Sequence, residues 1–394
     1  MIKVRNSKLE TRNSKQITFL LYLFILIGLF FYSFTQVDLN LTLSKTSFLS
    51  NIQDFFQNIG YFQRPFSTFL YLLIIFTLYT LYFVLLRLVS KDKLLEKQLW
   101  MLILATAAIL LFSYPAFSYD IFNYIFDARI FTKYSLNPYS FKALDFPQDP
   151  WTRFMHWTHR TYPYAPAWLL ISIPFSFLGM GKFLPTLFLF KLISCFSYLG
   201  SIYLLGKILG KIDKAKKLLG MAFFAFNPLI IIETLVSAHH ESLMIFLTFL
   251  FIYFLINKNK KPLSVVCYLL SVGVKYVTAP LLPLLIFGFK RGLTIILMII
   301  SLIFVLTKKE IQPWYFLWVL PFIALDIKKW SMTISTFFSF GLLFRYAPFL
   351  YFGHWNLPVP MIKFWVTVIP VILAFLILLF SHFFNKSIRK RHNI

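Results

Sequence analysis

Apolar runs of about twenty residues, the length a helix needs to cross a bilayer core, recur along this chain between short polar stretches. They predict spans near 17–36, 66–86, 99–117, 183–208, 218–236, 241–257, 262–274, 276–289, 293–306, 314–327, 331–350 and 361–381. The pattern describes one all-α polytopic bundle over residues 1–394, with about twelve spans and a range of roughly ten to thirteen. Several later spans hold only about 12 to 14 clearly apolar residues, so some are re-entrant or longer than the pattern shows.

Composition agrees: 59% of residues are hydrophobic and 13% charged, against roughly a quarter charged in a soluble domain. The net charge of +25 would suit nucleic acid if it formed one patch, but the basic residues fall in clusters between apolar runs. These are Lys3 to Lys15, Arg87 to Lys97, Lys207 to Lys217, Lys258 to Lys261, Lys290 with Arg291, Lys328 with Lys329, and Lys386 to Arg391. Such clusters mark cytoplasmic loops. They place both termini inside and predict a multi-pass plasma-membrane protein with no nucleic-acid partner. The first apolar run lacks a small-residue cleavage site and reads as an uncleaved anchor. Ala167–Leu178 is assigned to the interface, because counting it as a span would put Lys207 to Lys217 outside. Cys195 and Cys267 both lie in apolar runs and leave no disulfide framework.

Two segments, 37–65 and 118–182, are long and fall outside the cell by this count. The second carries Asp120, Asp127, Asp145 and Asp149, four of the 14 acids, far more chemistry than a connector needs. As a helix, its opening puts Asp120, Asn123 and Asp127 on one face and Ile121, Phe122, Ile125 and Phe126 on the other. It should lie flat in the outer interface, its carboxylates about 10 Å apart and facing water or a cleft. Arg129 then falls among the apolar residues, within reach of a lipid phosphate. Asp120 also suits an ordinary helix N-cap.

Lys275 stands at a turn between two short apolar runs, apart from every basic cluster. It is a candidate to face a phosphate, or else it snorkels to headgroups. Adjacent His239, His240 and Glu241 chelate a metal poorly, since neighbouring helical side chains point about 100° apart. Hydrogen bonding to sugar or phosphate suits them better. His156 and His159 lack nearby carboxylates, so no zinc and no other metal is expected. Trp314, Tyr315 and Trp318 read as an interfacial aromatic belt. Gly206-Lys207 is followed by no Ser or Thr, so a nucleotide loop is unsupported and no cofactor is called for.

The segment from Asp120 to Tyr139 resembles the first extracytoplasmic loop of the GT-C superfamily of integral-membrane glycosyltransferases. Bacterial polyprenyl-phosphate-mannose-dependent mannosyltransferases come nearest, with Ser-x-Asp-Ile-Tyr-x-Tyr, then Gly-Arg, then Asn-Pro-Tyr. Ser118-Tyr-Asp-Ile-Phe-Asn-Tyr124, Ala128-Arg129 and Asn137-Pro-Tyr139 stand here in that order. Tyr162-Pro-Tyr-Ala-Pro-Ala-Trp168, Asn227-Pro-Leu, His239-His-Glu241, Lys275 and Pro313-Trp-Tyr-x-x-Trp318 have counterparts too. The departures are Ala128 and Ala165 for Gly, and Glu241 for Asp.

The resemblance implies a GT-C helix bundle with 118–182 as its catalytic extracytoplasmic loop. It implies inverting transfer of a hexose, expected to be mannose, from a polyprenyl-phosphate carrier to a lipid-linked or cell-envelope glycan outside. Asp120 matches the family's base. Asp127, Arg129, Asn137, Tyr139, Tyr164, His239, Glu241 and Lys275 are the expected substrate-binding residues. One base suffices, because a lipid phosphate leaves as a stable anion, whereas a glycosidase needs a second carboxyl as acid. The rival reading is a transporter or lipid flippase with Glu233, Lys275, Arg345 and Lys363 lining a path. Carboxylates gathered beside one membrane surface, and halves that look unlike, speak for the enzyme.

Overall fold

The computed structural model describes residues 2–257 and 260–392, with side chains over 15–257 and 260–383. The basic residues before Lys15, Lys258 and the run Lys386 to Arg391 lie outside those described side chains. Helices make up the fold, and no strand forms among the described residues. In order they are α1 (Ile2–Ser33), α2 (Ser47–Gln57), α3 (Arg64–Ser90), α4 (Glu96–Leu111), α5 (Asp120–Tyr134), α6 (Pro166–Leu178), α7 (Phe183–Ile212), α8 (Lys217–Ala225) and α9 (Pro228–Val236). Then come α10 (Glu241–Ile256), α11 (Lys261–Val274), α12 (Tyr276–Phe287), α13 (Arg291–Leu306), α14 (Pro313–Ile323), α15 (Lys329–Phe344), α16 (Tyr346–Phe352) and α17 (Val359–His392).

Four segments are long and apolar enough to cross a membrane: Lys15–Gln36, Arg64–Ser90, Phe183–Ile212 and Val359–Phe383. The α8–α9 pair, bent by 50° at Asn227-Pro228, makes a fifth if it is one span. The other apolar stretches are shorter than the roughly 20 residues a perpendicular span needs, because prolines at 280, 283, 313 and 321 and the polar break at Lys275 interrupt them. The expected count of about twelve therefore rests on short, broken helices.

Packing is close where small residues allow it. A Cβ on Gly273 of α11 would come within 2.8 Å of the Ala167 Cβ on α6. Lys191, buried in α7, donates to the Leu110 carbonyl at 3.0 Å and to Ser113 Oγ at 2.8 Å. Its amine thus sits at the C-terminal end of α4, where a carbonyl of the last turn accepts its hydrogen bond.

The ion pairs fall into two groups. Lys217 meets Glu96 at 2.7 Å, Arg291 meets Asp213 at 3.1 Å and Lys328 meets Asp326 at 3.1 Å. Each joins segments that the basic clusters assign to the inside. The pairs made by Asp38, Asp120, Asp149, Glu233, Glu241 and Glu310 stay among the remaining segments. Among the described residues no ion pair joins the two groups.

The expected surface helix at Asp120 is instead a buried one. Every residue of α5 from Ile121 to Ile130 is buried, because the rest of the 118–182 segment folds over its polar face. Asn123 donates to the Trp157 carbonyl at 3.1 Å. Asp149 forms the hub of this cover: its Oδ2 accepts from Arg129 Nε at 2.8 Å, Lys133 Nζ at 2.9 Å and Tyr134 Oη at 2.6 Å. Its Oδ1 caps the following turn at the Trp151 N–H, 3.0 Å away. Arg129 does not reach a lipid phosphate. Its guanidinium is taken up by Asp149 and lies 3.8 Å over the Trp151 ring.

Candidate active site

A cavity of about 1480 Å³ is walled by parts of residues 36–64, 116–120, 156–165, 240, 274–280, 300–318 and 346–363. Asp120 reaches it as the first residue of α5, where the Ser118 hydroxyl accepts its N–H at 3.3 Å. The N-terminal end of the helix dipole makes this a favourable place for negative charge. Its side chain is 15% exposed, with Arg160 Nη2 3.9 Å from Oδ1 and His239 Nδ1 3.8 Å from Oδ2. Behind His239, Nε2 lies 3.2 Å from Glu233 Oε2, and the other oxygen of Glu233 accepts the Tyr346 hydroxyl at 2.9 Å. Trp314 stacks on the His239 ring at 4.6 Å.

A second group flanks the first. Lys275 is ion-paired with Glu241, and its ammonium lies 5.0 Å from the Trp318 ring and 5.9 Å from Tyr315. Glu241 Oε2 is also 3.2 Å from His240 Nδ1, whose other neighbour is the Tyr124 hydroxyl at 2.8 Å. Just before the two histidines, Ala238 turns the chain at a φ of 54°. A left-handed alanine is uncommon and persists only where its surroundings hold it.

Asp120, Tyr164 and Lys275 line the cavity among the expected site residues. His239 and Glu241 stand one layer behind, fully buried against Asp120 and Lys275 respectively. Asn137 closes its own turn by accepting the Tyr139 N–H at 3.0 Å, and the Tyr139 hydroxyl donates to the Tyr164 carbonyl at 3.2 Å. Asp127 and Arg129 are buried in the loop, off the cavity. The Trp314, Tyr315 and Trp318 rings, read from sequence as a lipid-facing belt, are cavity walls. Arg160, Asp38 and Glu310 also line it and went unassigned; Lys363, which the sequence placed only in the transport reading, lines it as well. Arg160 had a usable signal, since it stands alone beside Tyr162-Pro-Tyr164 and outside the basic clusters. Among the described residues no three His, Cys, Asp or Glu side chains are placed to hold a metal.

Burial pushes the Asp127 carboxyl up to about 8, against the opposing pull of Arg160. At neutral pH it is therefore mostly protonated and poorly suited to bind a cation or take a proton. Because its folded-state value lies above the ordinary one near 4, its stabilising contribution is complete below that value and is lost as pH rises towards 8. Asp127→Asn is expected to keep turnover at pH 7 within a few fold of wild type and to become the more stable protein at pH 8. Thermal midpoints measured between pH 4 and 9 check this. Parallel curves for the two proteins would refute it.

Residues 26–290 match the family described as alpha-(1->6)-mannopyranosyltransferase, N-terminal domain. The match takes in Asp120, the 118–182 segment, His239 to Glu241 and Lys275. No curated protein and no solved structure matches the chain.

Proposed function

The chain belongs to the alpha-(1->6)-mannopyranosyltransferase family, and on that premise we propose that it moves mannose from a polyprenyl-phosphate carrier to a lipid-linked or cell-envelope glycan on the extracytoplasmic face. It is a glycosyltransferase, and mannosyl transfer requires a sugar donor and a glycan acceptor. The observation that carries the finer reading is the Asp120 carboxylate in the wall of a large aromatic-lined cavity, with Arg160 and Lys275 beside it.

The acceptor hydroxyl attacks the anomeric carbon while Asp120 takes its proton. The bond from that carbon to the phosphate oxygen breaks, and the carrier leaves as a phosphate monoester. A single displacement inverts the centre, so an α linkage requires a β-linked donor. His239 and Arg160 flank the Asp120 carboxylate on two sides, at 3.8 and 3.9 Å. Arg160 and Lys275 supply positive charge where the departing phosphate becomes more negative, and stabilisation that grows towards the transition state is what raises rate. Tyr164, Trp314, Tyr315 and Trp318 offer flat apolar faces to a sugar ring.

The external location is supported by the cavity walls, which come from segments that the twelve-span count puts outside and from the ends of its spans. The transport reading finds no comparable support. Glu233, Lys275, Arg345 and Lys363, which it would string along a path, are instead paired beside this one cavity.

Purified protein given a polyprenyl-phosphate-linked mannose and a mannoside acceptor is expected to release polyprenyl phosphate in step with mannosylated product. Transfer from a nucleotide-linked mannose without any lipid donor would overturn the carrier assignment.

A further inference from the structure

Beyond residue 290, where the family match stops, the cavity wall carries a second cluster of charge. Glu310 lies on the connection between α13 and α14, and its Oε1 pairs with both Arg345 Nη2 and Lys363 Nζ, the latter at 3.0 Å. The exposures are lopsided: the Glu310 side chain is 56% exposed, while those of Arg345 and Lys363 are 5% and 10% exposed. Arg345 is anchored from behind, its Nη1 donating to the Lys363 carbonyl at 3.3 Å and to Thr367 Oγ1 at 3.0 Å. Its buried Nε has no hydrogen-bond partner. The Lys363 ammonium lies 4.7 Å over the Trp355 ring, which is itself stacked on Phe349. Arg64, Lys308 and Lys309 line the same cavity.

A buried guanidinium needs an anion, and leaving it alone is costly. Here the anion comes from an exposed loop, and a carboxylate in water gives up such a contact at little loss. The cations are buried and their counter-ion is exposed. The guanidinium edge formed by Nε and one Nη suits an oxyanion held by two parallel hydrogen bonds, yet Glu310 takes only Nη2 and leaves the buried Nε unpaired. Two cations against one carboxylate also leave a positive charge over. A phosphate monoester, with close to two negative charges and three acceptor oxygens, matches both the charge and the free donor.

We propose that Arg345 and Lys363 form a phosphate-binding subsite that Glu310 fills in the free protein and vacates when a phosphate ester enters the cavity. Glu310 is thus an internal competitor on a loop, and the subsite opens only to an anion that binds better than it does. The binding is independent of the reaction assigned above. Only the identification of the ester with a carrier lipid rests on that reading.

The test is titration calorimetry on the full chain in detergent, at fixed ionic strength, with inorganic phosphate and with butyl phosphate as probes. Glu310→Gln changes an exposed side chain and leaves the Arg345 anchors in place, so folding should survive. Removing the competitor is expected to tighten binding of both probes by about tenfold, and Lys363→Gln to weaken it by about tenfold. Tighter binding of butyl phosphate than of inorganic phosphate would assign the subsite to a lipid-borne phosphate, and equal binding to the free ion. If Glu310→Gln bound phosphate no better than wild type, or if neither protein bound it, the proposal would be overturned. Phosphate binding needs no turnover, so the Glu310 effect measured in an inactive Asp120→Asn background separates this outcome from failure of the assigned reaction.

Discussion

Asp120→Asn is expected to lower mannosyl turnover by about two to four orders of magnitude, the usual cost of removing a general base, or about 3 to 5 kcal/mol of barrier. Asparagine keeps the size of the side chain and serves well at a helix start, and Ser118 still accepts the backbone N–H there. The contacts of Asp120 with Arg160 and His239 are long, at 3.9 and 3.8 Å, so losing its charge disturbs little packing. Basicity is what disappears. On the proposed mechanism donor affinity should change little, because there the carboxylate acts on the acceptor hydroxyl and Arg160 and Lys275 face the phosphate. Single-turnover transfer measured beside equilibrium donor binding distinguishes the two effects. Turnover within a few fold of wild type would remove Asp120 as the base, and neither Asp127, held mostly protonated, nor Glu241, buried behind Lys275, lines the cavity to replace it.

Much of this arrangement is legible along the chain. The helical class follows from long apolar runs, and the division of ion pairs into two groups follows from where the basic clusters fall. Asp120 and Lys275 are found because each is a charged residue at the edge of an apolar run and away from those clusters. The sequence is less informative about α5. Its 3.6-residue pattern separates Asp120, Asn123 and Asp127 from the apolar residues, but periodicity records only that two faces differ, not what covers the polar one. The cover here is the later half of the same segment, pinned through Asp149, and no local pattern links residue 149 to residue 129. Trp314 and Trp318 mislead for a related reason: an aromatic ring near the end of a short apolar helix suits an interface and a cavity wall equally. Glu233 and His239 are brought together by the turn at Ala238, where the His239 N–H donates to the Glu233 carbonyl at 3.0 Å, and the sequence alone does not fix the direction of that turn.

The largest effect on stability is expected at Asp149→Asn. The Asp149 side chain is fully buried and holds Arg129, itself 8% exposed, together with Lys133, Tyr134 and the Trp151 N–H. Burial alone would raise its carboxyl, but hydrogen bonds from Tyr134, Arg129, Lys133 and the Trp151 N–H outweigh it and hold the group well below the usual carboxylate range. Asparagine preserves an acceptor for Trp151 but removes the charge, leaving the buried Arg129 guanidinium without its anion. Breaking a buried pair from one side costs about 3 to 5 kcal/mol. Lys133 contributes little of this, since its side chain is 43% exposed. A depressed folded-state value means that the stabilisation is present above the ordinary carboxylate value near 4 and is lost as pH falls through the depressed one. Wild type should therefore loosen over 135–165 only in strong acid, whereas Asp149→Asn should do so at pH 7. Trp157, Arg160 and Tyr164 lie on that stretch and line the cavity, so donor binding and turnover should fall together, unlike the selective loss at Asp120. Hydrogen exchange resolved by segment gives the answer. Protection over 135–165 that was unchanged at pH 7, relative to α3 and α7, would show that Asp149 does not hold the cover in place.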